Sequence, residues 1–366
     1  MTAARVAPGI DTEEQAALRD SVRGLLTAQS AVRRGYAGNP RYDVRLWNSL
    51  TQQIGVAALA IPEQFGGVGA TLVETQVVLD ELGASLAPVP MLGSAVLAAQ
   101  AILRSGDDAA CARLLPGIAE GTTIASLCWA DDDGWERPGV RAQSGLLSGT
   151  AHYVLDAEYA DLLIVLADAG GVTTLHSVAA DAAGVRIEPH TVLDPTRALA
   201  TVHFDEVDAH AILAPEDLAE QLRTVAAIAL SADQVGGARA ALALTVDYTK
   251  SRTQFGRVIG SFQALKHRMA DLFVLCESST TISYTAVDAL VRGDSEAVAL
   301  AAAARVYCSD ALRQTVSETI QLHGGIGITW EHDAHLYFKR AHSDSVLFGP
   351  ESAALAMLEK AAGLGD

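Results

Sequence analysis

At 366 residues, 50% of them hydrophobic and 19% charged, the chain has enough apolar surface for a sizeable core spread over about one to three compact domains, which excludes a disordered tail. The formal net charge of -18 repels phosphate backbones, and no Lys/Arg cluster offsets it, so nucleic acid is excluded as an expected partner. Any anionic ligand must be held by a few local Arg, Lys or backbone N–H groups. Cys111, Cys128, Cys276 and Cys308 are widely spaced and form no Cys-x-x-Cys pair, which argues against a zinc site or a disulfide framework and fits a reducing cytoplasm. The N-terminus Met1-Thr-Ala-Ala-Arg5 lacks a long apolar stretch before Asp11, Glu13 and Glu14, and no uncharged run is long enough to cross a bilayer, so a soluble chain is expected.

From Thr12 to about Arg113 the spacing predicts helices: Ala17, Leu18, Val22 and Leu25 recur with helical period, as do Val73, Val77, Val78 and Leu82. Ile61-Pro-Glu-Gln-Phe-Gly-Gly-Val-Gly69 and Ala87-Pro-Val-Pro90 interrupt them. From about Thr122 to Leu213 short β-branched runs bounded by Gly, Asp and Pro read as strands, among them Leu162–Val165, Val172–Leu175 and Ala200–Phe204. Little helical periodicity separates them, which favours an antiparallel barrel or sandwich. After Pro215, with Glu216 and Asp217 suited to a helix N-terminus, residues 217 to about 250 and Ser295 to Leu322 read as long uninterrupted helices. The expected class is α+β: a helical domain over 1–121, a central antiparallel β domain over 122–214 and a C-terminal helical bundle over 215–366.

Two glycine-bearing segments flank the last long helices. In Ser251-Arg-Thr-Gln-Phe-Gly-Arg-Val-Ile-Gly260, Arg252 offers a fixed cation with a bidentate fork beside an aromatic, which suits a pyrophosphate as well as it suits a solvated interhelical loop. Gln321-Leu-His-Gly-Gly-Ile-Gly327 closes a helix with glycines that allow close backbone approach to a ligand or simply end the helix. His323 and His332 lie nearby, but no His-x-x-x-His pair or carboxylate cluster suggests a metal, and packing or exposure accounts for them. Walker, nucleophile-elbow and strand-linked Gly-x-Gly-x-x-Gly patterns are missing, which removes kinase and hydrolase readings.

In this order and spacing the two segments resemble the paired signatures of the acyl-CoA dehydrogenase family. The resemblance extends to Gln64–Gly69, the central strands, Gln234-Val-Gly-Gly237 and Trp330–Arg340, nearly the whole chain. It implies a helical domain, a β domain and a C-terminal four-helix domain, assembled as tetramers, with FAD bound between subunits. Arg252, Phe255, Gln321 and Gly325 match positions that hold the adenine and pyrophosphate of an FAD whose ring lies on the neighbouring subunit. The half that receives the ring departs from the family: Ala130 in Trp129-Ala-Asp-Asp-Asp-Gly134 and the Tyr153-Val-Leu155 stretch replace hydroxyl-bearing positions.

The family removes the α-proton of an acyl-CoA thioester with a carboxylate while a hydride passes to the flavin, leaving a trans-2-enoyl-CoA. The base position on the C-terminal loop corresponds to Phe348 and the alternative position on the long helix to Ala226, neither of them acidic. Asp233 and Glu351 are the nearest acidic substitutes. The pattern resembles the base-lacking subunit of bacterial heterotetrameric (α2β2) steroid-type acyl-CoA dehydrogenases. It implies a homologous partner that supplies the glutamate, a bulky or sterol side-chain acyl-CoA as substrate and an electron-transferring flavoprotein as acceptor. A self-sufficient homotetramer with a non-standard base, a flavin monooxygenase and a non-catalytic scaffold subunit of the same fold stay open at this point.

Overall fold

The computed structural model describes residues 11–29, 42–361 and 363–364; the N-terminal stretch 1–10, read above for its lack of an apolar run, lies outside them. In chain order the helices are α1 (Glu13–Gln29), α2 (Val44–Ser49), α3 (Leu72–Ala84), α4 (Ala99–Arg104), α5 (Asp108–Ala119), α6 (Leu218–Ser251), α7 (Gln263–Arg292), α8 (Ala297–His323), α9 (Ala334–Asp344) and α10 (Glu351–Ala361). Strands β1 (Ala125–Cys128), β2 (Val140–Gln143), β3 (Leu146–Leu155), β4 (Leu162–Asp168), β5 (Thr173–Ala179), β6 (Val185–Pro189), β7 (Leu199–Asp208) and β8 (His210–Ile212) lie between α5 and α6, and the short β9 (Thr253–Gln254) and β10 (Arg257–Val258) follow α6. This is the expected helical, β, helical order. Two compact units emerge, one from Met1–Leu26, Gln76–Ala87 and Ala227–Asp366, the other from Thr27–Thr75 and Pro88–Ala226.

The first unit is helical. Its long helices form where helix formers run without proline, and α8 stops where Gly324 takes a φ of +63° that a side chain would resist. On α1 the buried face is Val22 and Leu26, flanked by Leu18 and Leu25, while Ala17, counted in the predicted stripe, faces solvent. α3 is buried almost all round from Thr75 to Gly83, and that includes two neighbouring acids, Asp80 and Glu81. A charge in such a place needs partners. Arg19 donates to Asp80 at 2.6 Å, to Glu81 at 2.9 Å and to the hydroxyl of Tyr284 at 2.6 Å; Arg239 reaches Asp80 at 2.9 Å, and Arg23 reaches Glu81 at 2.8 Å. Asp11 completes the cluster by accepting from Arg19 at 2.6 Å.

Glycine makes this meeting possible. A Cβ on Gly83 would stand 2.1 Å from the Asp233 carbonyl oxygen and one on Gly236 1.8 Å from that of Asp80, so α3 and α6 cross backbone to backbone. α9 is docked on the same pair of helices: the Tyr337 hydroxyl donates to the Ala84 carbonyl at 2.6 Å and Arg340 donates to Asp233 at 3.0 Å.

The second unit carries an eight-stranded sheet of order β6-β7-β3-β2-β4-β5-β8, with β1 beside β4. Its core packs Cys128, Val140, Leu147, Val165, Val202 and Phe204. Most pairings are antiparallel, but β4 runs parallel to both β1 and β2, so the sheet is mixed where an antiparallel one was expected. Apolar alternation reports which face of a strand is buried and carries no signal of strand direction; β1 meets β4 only after the β2–β3 hairpin has intervened. In β3 the register against β7 shifts between Ala151 and Val154, and Tyr153 sits in this bulge at φ +55°.

Replacing Asp80 by Asn should leave the three arginines short of one buried counter-charge and cost about 3 kcal/mol, measurable by urea denaturation. Burial alone would raise the Glu81 carboxyl, but hydrogen bonds from Arg23 and Arg19 outweigh it and hold it below the usual carboxylate range. Glu81 therefore stabilises the fold fully above its ordinary value of 4.5, and that contribution should fade as pH drops below it, more weakly in Glu81→Gln.

Candidate functional site

At the C-terminal end of α6 the chain turns back through β9 and β10, with Thr253 opposite Val258 and Gln254 opposite Arg257. Phe255 and Gly256 link them with φ of +52° and +76°, the handedness that two-residue hairpins favour. Asn, Asp or Gly suits the first position; phenylalanine there costs about 1–2 kcal/mol. The ring is also 91% exposed and makes one edge contact with Phe262 at 6.2 Å, so local packing repays little of that cost. Arg252 precedes the hairpin with its side chain exposed and in no ion pair among the described residues, while its carbonyl accepts from the Ile259 N–H at 2.8 Å.

At the end of α8, Gln321 is exposed and the chain enters a 3-10 turn over Gly324–Ile328. Gly325 has an ordinary φ, and a Cβ added there would meet no atom within 4 Å. Neither backbone conformation nor internal packing asks for glycine at this position, whereas a ligand lying against the turn would. The two segments are joined by aromatic rings. Tyr248, whose carbonyl accepts from the Arg252 N–H at 2.9 Å, stacks on His323 with ring centroids 4.4 Å apart, and His332 lies 4.4 Å from His323 on another side. The cation of Arg252, the ring of Phe255 and the open turn at Gly325 fit a pyrophosphate joined to an aromatic base.

His323 is only 3% exposed. Burial pushes its pKa down, the bond from its Nδ1–H to the Thr319 carbonyl (2.7 Å) opposes this, and His332 adds to the lowering.

The positions considered for a base are placed as follows. Phe348 lies in the loop between α9 and α10 at φ +63°, and Ala226 is fully buried on α6. Asp233 accepts from Arg340 at 3.0 and 3.1 Å with both side chains nearly inaccessible, which commits it to a buried ion pair. Glu351 is half-buried in the first turn of α10.

Sequence reasoning missed the residue that shapes the Phe348 loop. Arg305, 4% exposed on α8, places Nη2 within 3.0–3.2 Å of the carbonyl oxygens of Asp344, Ser345, Leu347 and Gly349, and its Nη1 donates to Ser309. The first two of these carbonyls end α9 and the other two lie in the loop that follows. Burial lowers the Arg305 pKa, against the charges of Asp344 and Glu351. The available signal was one arginine closing the run Ala301-Ala-Ala-Ala304.

In the second unit, Ala130 is buried and bridged to His152, and Asp131 accepts from the N–H groups of Asp133 and Gly134 at 3.0 and 2.9 Å. Trp135 packs against Tyr153 at 5.1 Å. Trp129, Trp135, Arg137, Glu216, Glu220 and Arg223 help line an open cavity of about 210 Å³.

Residues 12–122 match the acyl-CoA dehydrogenase N-terminal domain and 218–363 the acyl-CoA dehydrogenase C-terminal domain. The chain is 39% identical over 350 residues to the acyl-CoA dehydrogenase IpdE2 of Mycobacterium tuberculosis, covering 95% of this chain and 96% of the relative. It superposes on a chain of the ChsE4-ChsE5 complex from Mycobacterium tuberculosis with a TM-score of 0.90 at 26% identity, covering 98% of this chain and 99% of that one. The Tcur3481-Tcur3483 steroid ACAD variant gives 0.88 at 30% identity, over 96% and 98%.

Arg305→Ala should strip a buried set of main-chain carbonyls of their donor and cost about 3 kcal/mol in thermal or chemical denaturation. Amide exchange over residues 345–350 should rise with it, and Arg305→Lys, which keeps the charge without the fork, should fall between the two.

Proposed function

The chain belongs to the acyl-CoA dehydrogenase family, and from that membership we propose that it is the base-lacking subunit of a heteromeric, FAD-dependent enzyme of α2β2 type. The observation that carries this reading is a contrast. The Arg252 hairpin and the Gly325 turn keep a charged, aromatic and open surface suited to a dinucleotide, while both base positions, Phe348 and Ala226, are apolar. Asp233 is spoken for by Arg340, which weighs against a self-sufficient homotetramer built on that carboxylate.

On this reading Arg252 neutralises the pyrophosphate, Phe255 stacks on the adenine, Gln321 supplies polar contacts and Gly325 admits the ligand to the backbone. FAD, when bound, supplies the hydride acceptor. A homologous partner supplies the glutamate that takes the α-proton and the pocket for the flavin ring. The reaction is α,β-dehydrogenation of an acyl-CoA thioester, with a bulky or sterol side-chain acyl group; the kinship with a steroid ACAD at 30% identity supports that substrate class. Electrons leave through an electron-transferring flavoprotein. Among the described residues no helix is long and apolar enough to cross a membrane, which is compatible with the cytoplasmic setting we propose.

Purified alone, the chain should retain little FAD, and co-expressed with a homologous chain bearing the glutamate it should hold about one FAD per heterodimer, read from flavin absorbance. About one FAD per isolated chain would instead favour a self-sufficient flavoenzyme. In the assembled enzyme Arg252→Ala should weaken FAD retention about tenfold or more, since a charged hydrogen bond to phosphate is lost; unchanged affinity would count against the assigned role.

A further inference from the structure

The ring cluster at the ends of α6 and α8 contains a polar atom that stability does not explain. His323 is buried, its Nδ1–H donates to the Thr319 carbonyl at 2.7 Å, and its Nε2 meets no donor among the described residues. A phenylalanine or leucine would fill the same space without a buried lone pair. The titratable groups that face the ring are Tyr248, stacked from α6 at 4.4 Å and 26°, and His332, at 4.4 Å from the turn before α9. Gly327 packs against the base of the side chain: a Cβ there would approach the His323 Cβ to 3.0 Å.

We infer that His323 is the positioning residue of the proposed flavin half-site, a neutral ring that ties the Arg252 end of α6 to the Gly324–Ile328 turn and releases that turn when protonated. The inference rests on the reading of Arg252 and Gly325 as ligand contacts. A second proton on His323 would bring a charge against His332 in a site that burial has closed to water, and the least costly relief is for the ring to leave the stack. Burial and His332 keep the neutral form favoured, so the half-site is intact at neutral pH and loosens as pH falls below the ordinary histidine midpoint of 6.5.

The test is FAD dissociation from the assembled complex, followed by flavin fluorescence from pH 5.5 to 8, in wild type, His323→Phe, His323→Ala and Arg252→Ala. Wild type should lose affinity about tenfold towards the acid end. His323→Phe, which keeps the stack and removes the proton, should show a flat profile, and His323→Ala should be weak at every pH. A His323→Phe profile that follows wild type, or a His323→Ala complex as tight as wild type, overturns the inference. Arg252→Ala separates the two readings: if it weakens FAD and His323→Ala does not, only the role of His323 falls, and if neither does, the half-site falls as well. NMR titration of the His323 imidazole gives a readout that needs no flavin, and a midpoint at or above 6.5 would also overturn the inference.

Discussion

Two carboxylates without access to water organise the helical unit. Asp80 and Glu81 sit on a helix buried nearly all round, and their charges are tolerable only because Arg19, Arg23 and Arg239 converge on them from α1 and α6, with Tyr284 of α7 joining through Arg19. The convergence in turn requires α3 and α6 to touch, which Gly83 and Gly236 permit. Once α6 is clamped at Arg239, its far end is set: Arg252 lies thirteen residues on, about 20 Å along the same rod. The direction in which the Arg252 hairpin projects is therefore decided by an ion cluster remote from it.

Two phenylalanines hold left-handed backbone, and the surroundings differ in an informative way. Phe348 is kept there by a guanidinium beneath its loop, so its strain is offset locally. Phe255 has no such support; it stands in solvent at the tip of a two-residue turn. An exposed ring in a strained conformation is what an unfinished contact surface looks like, and it sits beside Arg252, whose cation makes no ion pair among the described residues.

The order of helices and strands was readable from periodicity, and the long α6 and α8 followed from helix formers without proline. The candidate half-site could be proposed from sequence too, because an arginine before Phe-Gly and a Gln before Gly-Gly stand in short local segments. What escaped was everything that depends on a third dimension. The parallel pairing of β4 leaves no trace in alternation. The roles of Arg305 and Arg340 depend on carbonyls and a carboxylate dozens of residues away. Asp233 could be weighed as a base on sequence alone because its partner is far along the chain. Sequence leaves His323 between packing and exposure; only the fold shows that it is buried with Nδ1 on the Thr319 carbonyl.

Arg305 holds the loop by main-chain oxygens, while its other nitrogen donates to Ser309 on its own helix. The path of residues 344–349 is thus set in large part from another helix, alongside the buried Asp344 and Leu347 of that segment itself. Because Arg305 holds the carbonyls of Leu347 and Gly349 and not the ring of Phe348, exchanging that ring for a carboxylate would leave the grip in place. The course of the loop and the reactivity of position 348 are thus set by different residues, so that one can be altered while the other is kept.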